Sequence, residues 1–151
     1  MLKKVTEQTK RANRLDEISI TPYKAKHFEL VLEMHKLQKS PSFSHLTHAT
    51  MPKVGYIAMM GKQPIAAGFL RRLEPCYGQI DTLESNPLFG SKIRHEAIKK
   101  VVDELVSDAY RLKLQGIISF TGDTGTLSRA IGLGFVVLEG QTLIALPLSP
   151  A

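Results

Sequence analysis

One cysteine, Cys76, stands alone in 151 residues, so no internal disulfide can staple the fold. No apolar run approaches the roughly 20 residues that a membrane-spanning helix requires. The opening MLKKVTEQTK also lacks the apolar middle of a secretory signal. The expectation is a cytoplasmic protein that meets no membrane. The sequence holds no GxSxG elbow, Walker loop, zinc spacing, internal repeat or low-complexity segment. His45 and His48 in HLTH sit close enough for a metal pair, yet no Cys or carboxylate partner is evident, so they read as loop histidines and no metal is expected. Acids are the scarcer charge: 14 Asp and Glu stand against 20 Lys and Arg, a formal net charge of +6. That balance suits a nucleic acid, a nucleotide-like ligand or an acidic protein surface, and it selects none of them.

Part of the excess charge is local. Lys3, Lys4, Lys10, Arg11 and Arg14 oppose only Glu7 and Asp16, so residues 1–16 read as a basic extension ahead of one domain spanning 17–151. The length suits a single hydrophobic core. EISITPY predicts a first strand that stops at Thr21-Pro22. From Ala25, the residues Phe28, Val31, Leu32, Met34, His35 and Leu37 recur at helical spacing and end before Ser40-Pro41. Residues 40–52 read as a loop or broken helix over one face, and loops of that length often border a ligand site. VGYIAMM and IAAGFLRRLEPC form two strands around GKQP, and YGQIDTLESN adds a third, giving an antiparallel meander.

The strongest helical signal follows. Ile93, Ala97, Ile98, Val101, Val102, Leu105, Ala109 and Leu112 make one apolar stripe, with Lys99, Lys100, Asp103, Glu104 and Asp108 largely off it. QGIISFTG is a short apolar strand, TLSRAIGLGF a short helix ended by glycines, and FVVLE with TLIALPL a closing hairpin around Gly140-Gln141. A helix between YGQIDTLESN and QGIISFTG makes those two strands parallel. The resulting fold class is α/β: a mixed, mostly antiparallel central sheet flanked by helices on both faces.

The order of elements, the strand, loop and helix from Tyr77 to Arg111, and the segment GDTGTLSRAIGLGF together resemble the GNAT family of N-acetyltransferases over roughly 17–148. Their loop has the form Gln or Arg, two residues, Gly, one residue, Gly or Ala, and its amides hold the pyrophosphate of acetyl-CoA. The matching positions in FGSKIR are Phe89, Lys92 and Arg94, so all three characteristic residues differ. The resemblance implies acetyl-CoA or a related acyl-CoA as cosubstrate, held by Gly90, Ser91, Lys92, Ile93 and Arg94. Unpaired amides and the positive end of a helix dipole favour an anion there. The plainer alternative has Ser91 capping the helix while Lys92, Arg94 and His95 face water.

The same resemblance implies that backbone groups from Leu83 to Ser85 align the pantetheine arm, and that Asp123 stands near the family's usual Asn. Turn chemistry between Gly122 and Gly125 also explains Asp123. The family's acid, often a Tyr of the short last helix, matches Ala130, and no Tyr follows Tyr110. Deprotonation of the incoming ammonium needs a base. Glu84 and Asp81 lie on the strand resembling the family's central one, with Glu84 favoured and Glu74 a third candidate; both also read as ordinary solvated acids. Three residues apart, Asp81 and Glu84 point to opposite faces of a regular strand, so one at most meets the cleft unless a bulge intervenes. The expected activity is transfer of an acetyl group to an unidentified amine by a monomer or homodimer. The competing expectation is a GNAT-like accessory protein that has lost catalysis and binds a nucleic acid or a protein.

Overall fold

The computed structural model describes residues 15–38, 47–121 and 124–140. Most of the basic extension, Asp123, the stretch 39–46 and TLIALPL lie outside them. The chain forms two compact units, Met1–Ser119 and Phe120–Ala151.

The first unit is built on a five-stranded sheet in the order β1-β2-β3-β4-β5, with strands β1 (Ile18–Pro22), β2 (Val54–Met60), β3 (Gln63–Leu73), β4 (Tyr77–Ser85) and β5 (Gly116–Ile118). Neighbours from β1 to β4 are antiparallel, while β4 and β5 run parallel. The meander and the parallel crossover are therefore as the sequence reads. Gly61, at φ +60, permits the two-residue turn between β2 and β3.

Helix α1 (Phe28–Leu37) covers one face of the sheet. Its Val31 and Met34 close on Ile57, Ala67, Phe69 and Met51, all buried. Burial of side chains this large contributes about 1.5–3 kcal/mol each. Helix α2 (Ser91–Arg111) covers the other face with the predicted stripe from Ile93 to Ala109. Gly68 of β3 makes room for it: a Cβ there would stand 2.9 Å from both Leu83 Cδ1 and Val101 Cγ1. Tyr56 of β2 donates its hydroxyl to Asp108 Oδ2 at 2.7 Å and ties the far end of α2 to the sheet. Its phenol is pushed above the usual value by burial and then by Asp108.

The second unit carries α3 (Thr124–Gly132), which ends in a Schellman motif. Gly134 at φ +92 donates to Ile131 O and Phe135 to Ala130 O. The expected strand FVVLE is not one: residues 135–138 have no regular structure. A strand exists through a partner that takes its hydrogen bonds, and no described residue pairs with this run. Four successive apolar residues, Phe135 to Leu138, also lack the alternation that would select a face.

Candidate active site

The central strand is irregular at a decisive place. Glu84 faces Ala67 and Asp81 faces Phe69, so two steps along β3 match three along β4. The extra residue is a β-bulge at Thr82, whose φ of 51 lies in the left-handed region. Because Ala67 and Phe69 share the α1 face, Asp81 and Glu84 share it too. The two carboxylates expected on opposite faces are brought to one.

Their environments differ. Arg71 Nε donates to Asp81 Oδ2 at 2.8 Å, and Thr82 Oγ1 to Asp81 Oδ1 at 3.1 Å. Arg71 also reaches Thr50 O at 3.2 Å, so Asp81 belongs to a network that holds the turn Thr47–Met51 over the sheet. Glu84 is deeper, its side chain 11% exposed, and His35 Nδ1 of α1 lies 2.6 Å from its Oε1. Burial pushes the Glu84 carboxyl above the ordinary carboxylate value, and His35 pulls against that shift. Gln38, one turn beyond His35 and on the same side of the helix, donates its amide to Ser85 O. The last turn of α1 is thus clamped to the end of β4 by two side chains.

Beyond β4 the sheet opens. β5 pairs with Tyr77, Gly78 and Gln79 alone, so Ile80 to Ser85 have a strand on one edge only, among the described residues. Asn86 N donates to Ile65 O on the β3 side. Alternation along the strand then aims the Ser85 carbonyl away from β3, where Gln38 takes it.

The chain turns into α2 around a buried amide. Asn86, 2% exposed, donates Nδ2 to Pro64 O at 2.9 Å and accepts Leu88 N at Oδ1 at 3.0 Å. Phe89 N closes the turn on Asn86 O. Gly90 is the N-cap of α2 and supplies no side-chain acceptor, which corrects the reading of Ser91 as the cap. Arg94 N makes the first helical bond, to Gly90 O. The first turn has no acid, while Lys92 is exposed, Arg94 half-buried and its Nε unpartnered. Such a helix mouth attracts an anion through its amides, dipole and two cations. Phe89 lies in that loop, and its buried side chain anchors the loop in the core.

Sequence reasoning missed His35, Gln38 and Asn86. His35 falls on the helical apolar spacing and passed for a core position, while its partner is 49 residues away. Asn86 read as the last residue of the strand YGQIDTLESN and gave no sign of burial. Of the remaining candidates, Glu74 precedes Pro75 at the β3–β4 turn, far along β4 from Ser85. His48 Nδ1 is 3.1 Å from the Tyr23 hydroxyl. Among the described residues no group of His, Cys, Asp and Glu could hold a metal ion, and no helix is long and apolar enough to cross a membrane.

No family model matches the chain, and no curated protein matches it in sequence. Solved structures do match. A GNAT family acetyltransferase from Streptococcus pneumoniae superposes with a TM-score of 0.68 at 13% identity, over 87% of this chain and 99% of that one. A predicted acetyltransferase from Clostridium acetobutylicum with acetyl-CoA gives 0.64 at 15% identity, over 85% and 96%. An aminoglycoside acetyltransferase from an uncultured soil metagenomic sample, in complex with sisomicin, gives 0.67 at 8% identity, over 89% and 98%. The chain has the GNAT fold.

Proposed function

We propose that this chain is an acyl-CoA-dependent N-acyltransferase, with acetyl-CoA the natural donor and a primary amine the acceptor. The observation that carries the proposal is the run from the open edge of β4 into an uncapped, cationic helix mouth, with the half-buried Glu84 carboxylate on the same strand. Phosphates suit the amides of Ser91, Lys92 and Ile93, with Lys92 and Arg94 giving charge-assisted contacts where the family has glycine. An extended acyl arm suits the edge at Leu83 and Glu84 that no strand covers among the described residues, next to the Ser85 carbonyl that Gln38 holds. Asp123, outside the described residues, belongs to the proposed cofactor set by resemblance only.

The chemistry is direct attack. The neutral amine forms a nitrogen–carbon bond to the thioester carbon, the carbon–sulfur bond breaks, and the proton lost by nitrogen goes to a base at Glu84. Backbone amides polarise the carbonyl oxygen as charge develops on it. Ala130 at the position of the family's Tyr has no proton to give, so water reprotonates the thiolate. The matched aminoglycoside acetyltransferase, in complex with sisomicin, supports an amine acceptor here.

Changed loop residues and the absent Tyr also support a second reading, a GNAT-fold binding protein that uses the basic mouth on a nucleic acid or acidic partner. Calorimetry with acetyl-CoA separates the two. Saturable binding weakened roughly 10–100-fold in a Lys92→Glu, Arg94→Glu double variant supports the transferase, since each charge at a helix end is worth about 0.3–1 kcal/mol or more. Absence of binding, with salt-dependent capture of nucleic acid instead, supports the second. Thiol release with spermidine, an aminoglycoside and a lysine peptide then tests the reaction.

A further inference from the structure

We propose that the base of this site is His35 acting through Nε2, with Glu84 as the residue that positions its ring. The inference rests on the transferase reading above and changes which group meets the amine. An ionised carboxylate accepts hydrogen bonds and donates none. A 2.6 Å contact between Glu84 Oε1 and His35 Nδ1 therefore puts the ring proton on Nδ1. The lone pair of the neutral imidazole then lies on Nε2, the nitrogen turned away from Glu84.

Three further observations agree with that division of labour. Glu84 is the more enclosed of the pair, with side-chain exposure of 11% against 19% for His35. The outer group is the one that an acceptor meets first. Gln38, three residues on, fixes the same helical turn to Ser85 O, so the turn that carries the ring is tied to β4 at a second point. Asp81 does not compete for the histidine, because Arg71 and Thr82 occupy its oxygens.

The proton balance is simple. The ammonium of the acceptor gives one proton to His35 Nε2 and its nitrogen attacks the thioester carbon. As the carbon–sulfur bond breaks, the second proton of that nitrogen passes through water to the leaving thiolate, and the imidazolium stays paired with the Glu84 carboxylate. The proton then leaves from Nε2 to water. A carboxylate that holds an imidazole by Nδ1 selects the tautomer and stabilises the charged ring.

Two measurements test this. Long-range nitrogen–proton NMR on histidine-labelled protein at pH 7 to 8 reads the tautomer of each of the five rings. His35 is identified as the ring whose shifts move in Glu84→Gln, and the expected form is neutral with its proton on Nδ1. The second measurement is thiol release from acetyl-CoA by His35→Asn, with spermidine, the aminoglycoside, the lysine peptide or water as acceptor. Asparagine places an amide donor where Nδ1 stood, so the bond to Glu84 survives and the base is lost. The expected result is a fall of roughly 10²–10⁴-fold with acetyl-CoA binding retained.

A proton on Nε2 in the wild-type chain overturns the inference, since Glu84 would then be the protonated donor. So does a His35→Asn variant that turns over at about the wild-type rate, which returns the role of base to Glu84. Failure of the wild-type chain to bind acetyl-CoA overturns the transferase reading, and this inference with it. Where His35→Asn does not fold, the wild-type tautomer alone decides.

Discussion

Replacing Asn86 by alanine is the most informative single perturbation, because one side chain holds both the strand end and the helix mouth. Asn86 is 2% exposed and donates to Pro64 O at 2.9 Å while accepting Leu88 N at 3.0 Å. Its removal deletes two hydrogen bonds, each worth about 0.5–1.5 kcal/mol net. It also leaves the Pro64 carbonyl short of a partner inside the fold, at about 1–3 kcal/mol, whereas Leu88 is exposed and its amide turns to water. Partial relaxation makes the sum less than additive, so the expected loss is about 2–4 kcal/mol. Urea unfolding followed by circular dichroism measures it as a lower midpoint at unchanged slope. Asn86→Asp gives the internal control: its carboxylate still accepts Leu88 N but cannot donate to Pro64 O, and burial of the charge adds a penalty that protonation relieves. That variant recovers stability as the pH is lowered, and the alanine variant does not. Acetyl-CoA affinity falls in both, because both lose the bond to Pro64 O that fixes the turn aiming the helix mouth. Loss below about 0.5 kcal/mol for Asn86→Ala, the ordinary range of a surface change, would refute the argument that this amide organises the turn.

Gly55→Ala puts a Cβ 2.3 Å from Phe69 Cδ1, and Phe69 is fully enclosed, so overpacking of about 1–3 kcal/mol is expected in thermal or urea unfolding. His35→Ala leaves the Glu84 carboxylate without its partner and costs about 1–3 kcal/mol at pH 7, of which most returns in the double variant with Glu84→Gln, measured as a double-mutant cycle. Burial raises the folded Glu84 carboxyl, so the folded chain holds that proton more tightly than the unfolded chain. Its contribution is therefore full below the ordinary value of 4.5 and is lost as pH rises through the folded value. Relative to wild type, Glu84→Gln should gain stability across that window in urea titrations at successive pH values. Thr82 at φ 51 is a β-branched residue in the left-handed region, a strain of about 1–3 kcal/mol. Thr82→Gly removes it at about 0.5–1 kcal/mol of chain entropy and one side-chain bond to Asp81. Equal or higher thermal stability is expected, and a loss above about 1 kcal/mol would place the strain elsewhere.

The meander, α1, α2 and the parallel crossover were legible because each is written locally. The β2 and β3 runs flank a glycine turn, the stripe from Ile93 to Ala109 keeps helical period, and a helix between two strands dictates parallel pairing. Glu84 and the helix mouth were legible as positions on that frame. Their settings were not. Whether Asp81 and Glu84 share a face depends on how β4 counts against β3, which no window of β4 contains. His35 reads as one more apolar-stripe position until α1 is laid on the sheet. Phe89 was placed by its match to the family's loop motif, which gives no sign that packing buries its side chain. Gly90 looked like a loop residue and Ser91 like a cap, yet the backbone turns one residue earlier. FVVLE had strand composition, yet among the described residues nothing pairs with it.

The bulge is where these separate facts become one. A regular β4 would send either Asp81 or Glu84 toward α2, burying a carboxylate against the apolar stripe that contains Val101 and Leu105. The extra residue at Thr82 turns both acids to the α1 face and gives Leu83 to the α2 face, where it packs near Gly68 and Val101. Arg71 then neutralises Asp81 and leaves Glu84 to His35. One inserted residue thereby seats the helix that carries the cationic mouth and orients the carboxylate beside the open strand edge. Core packing and the candidate chemistry depend on the same irregularity, so loss of the bulge would disturb both together.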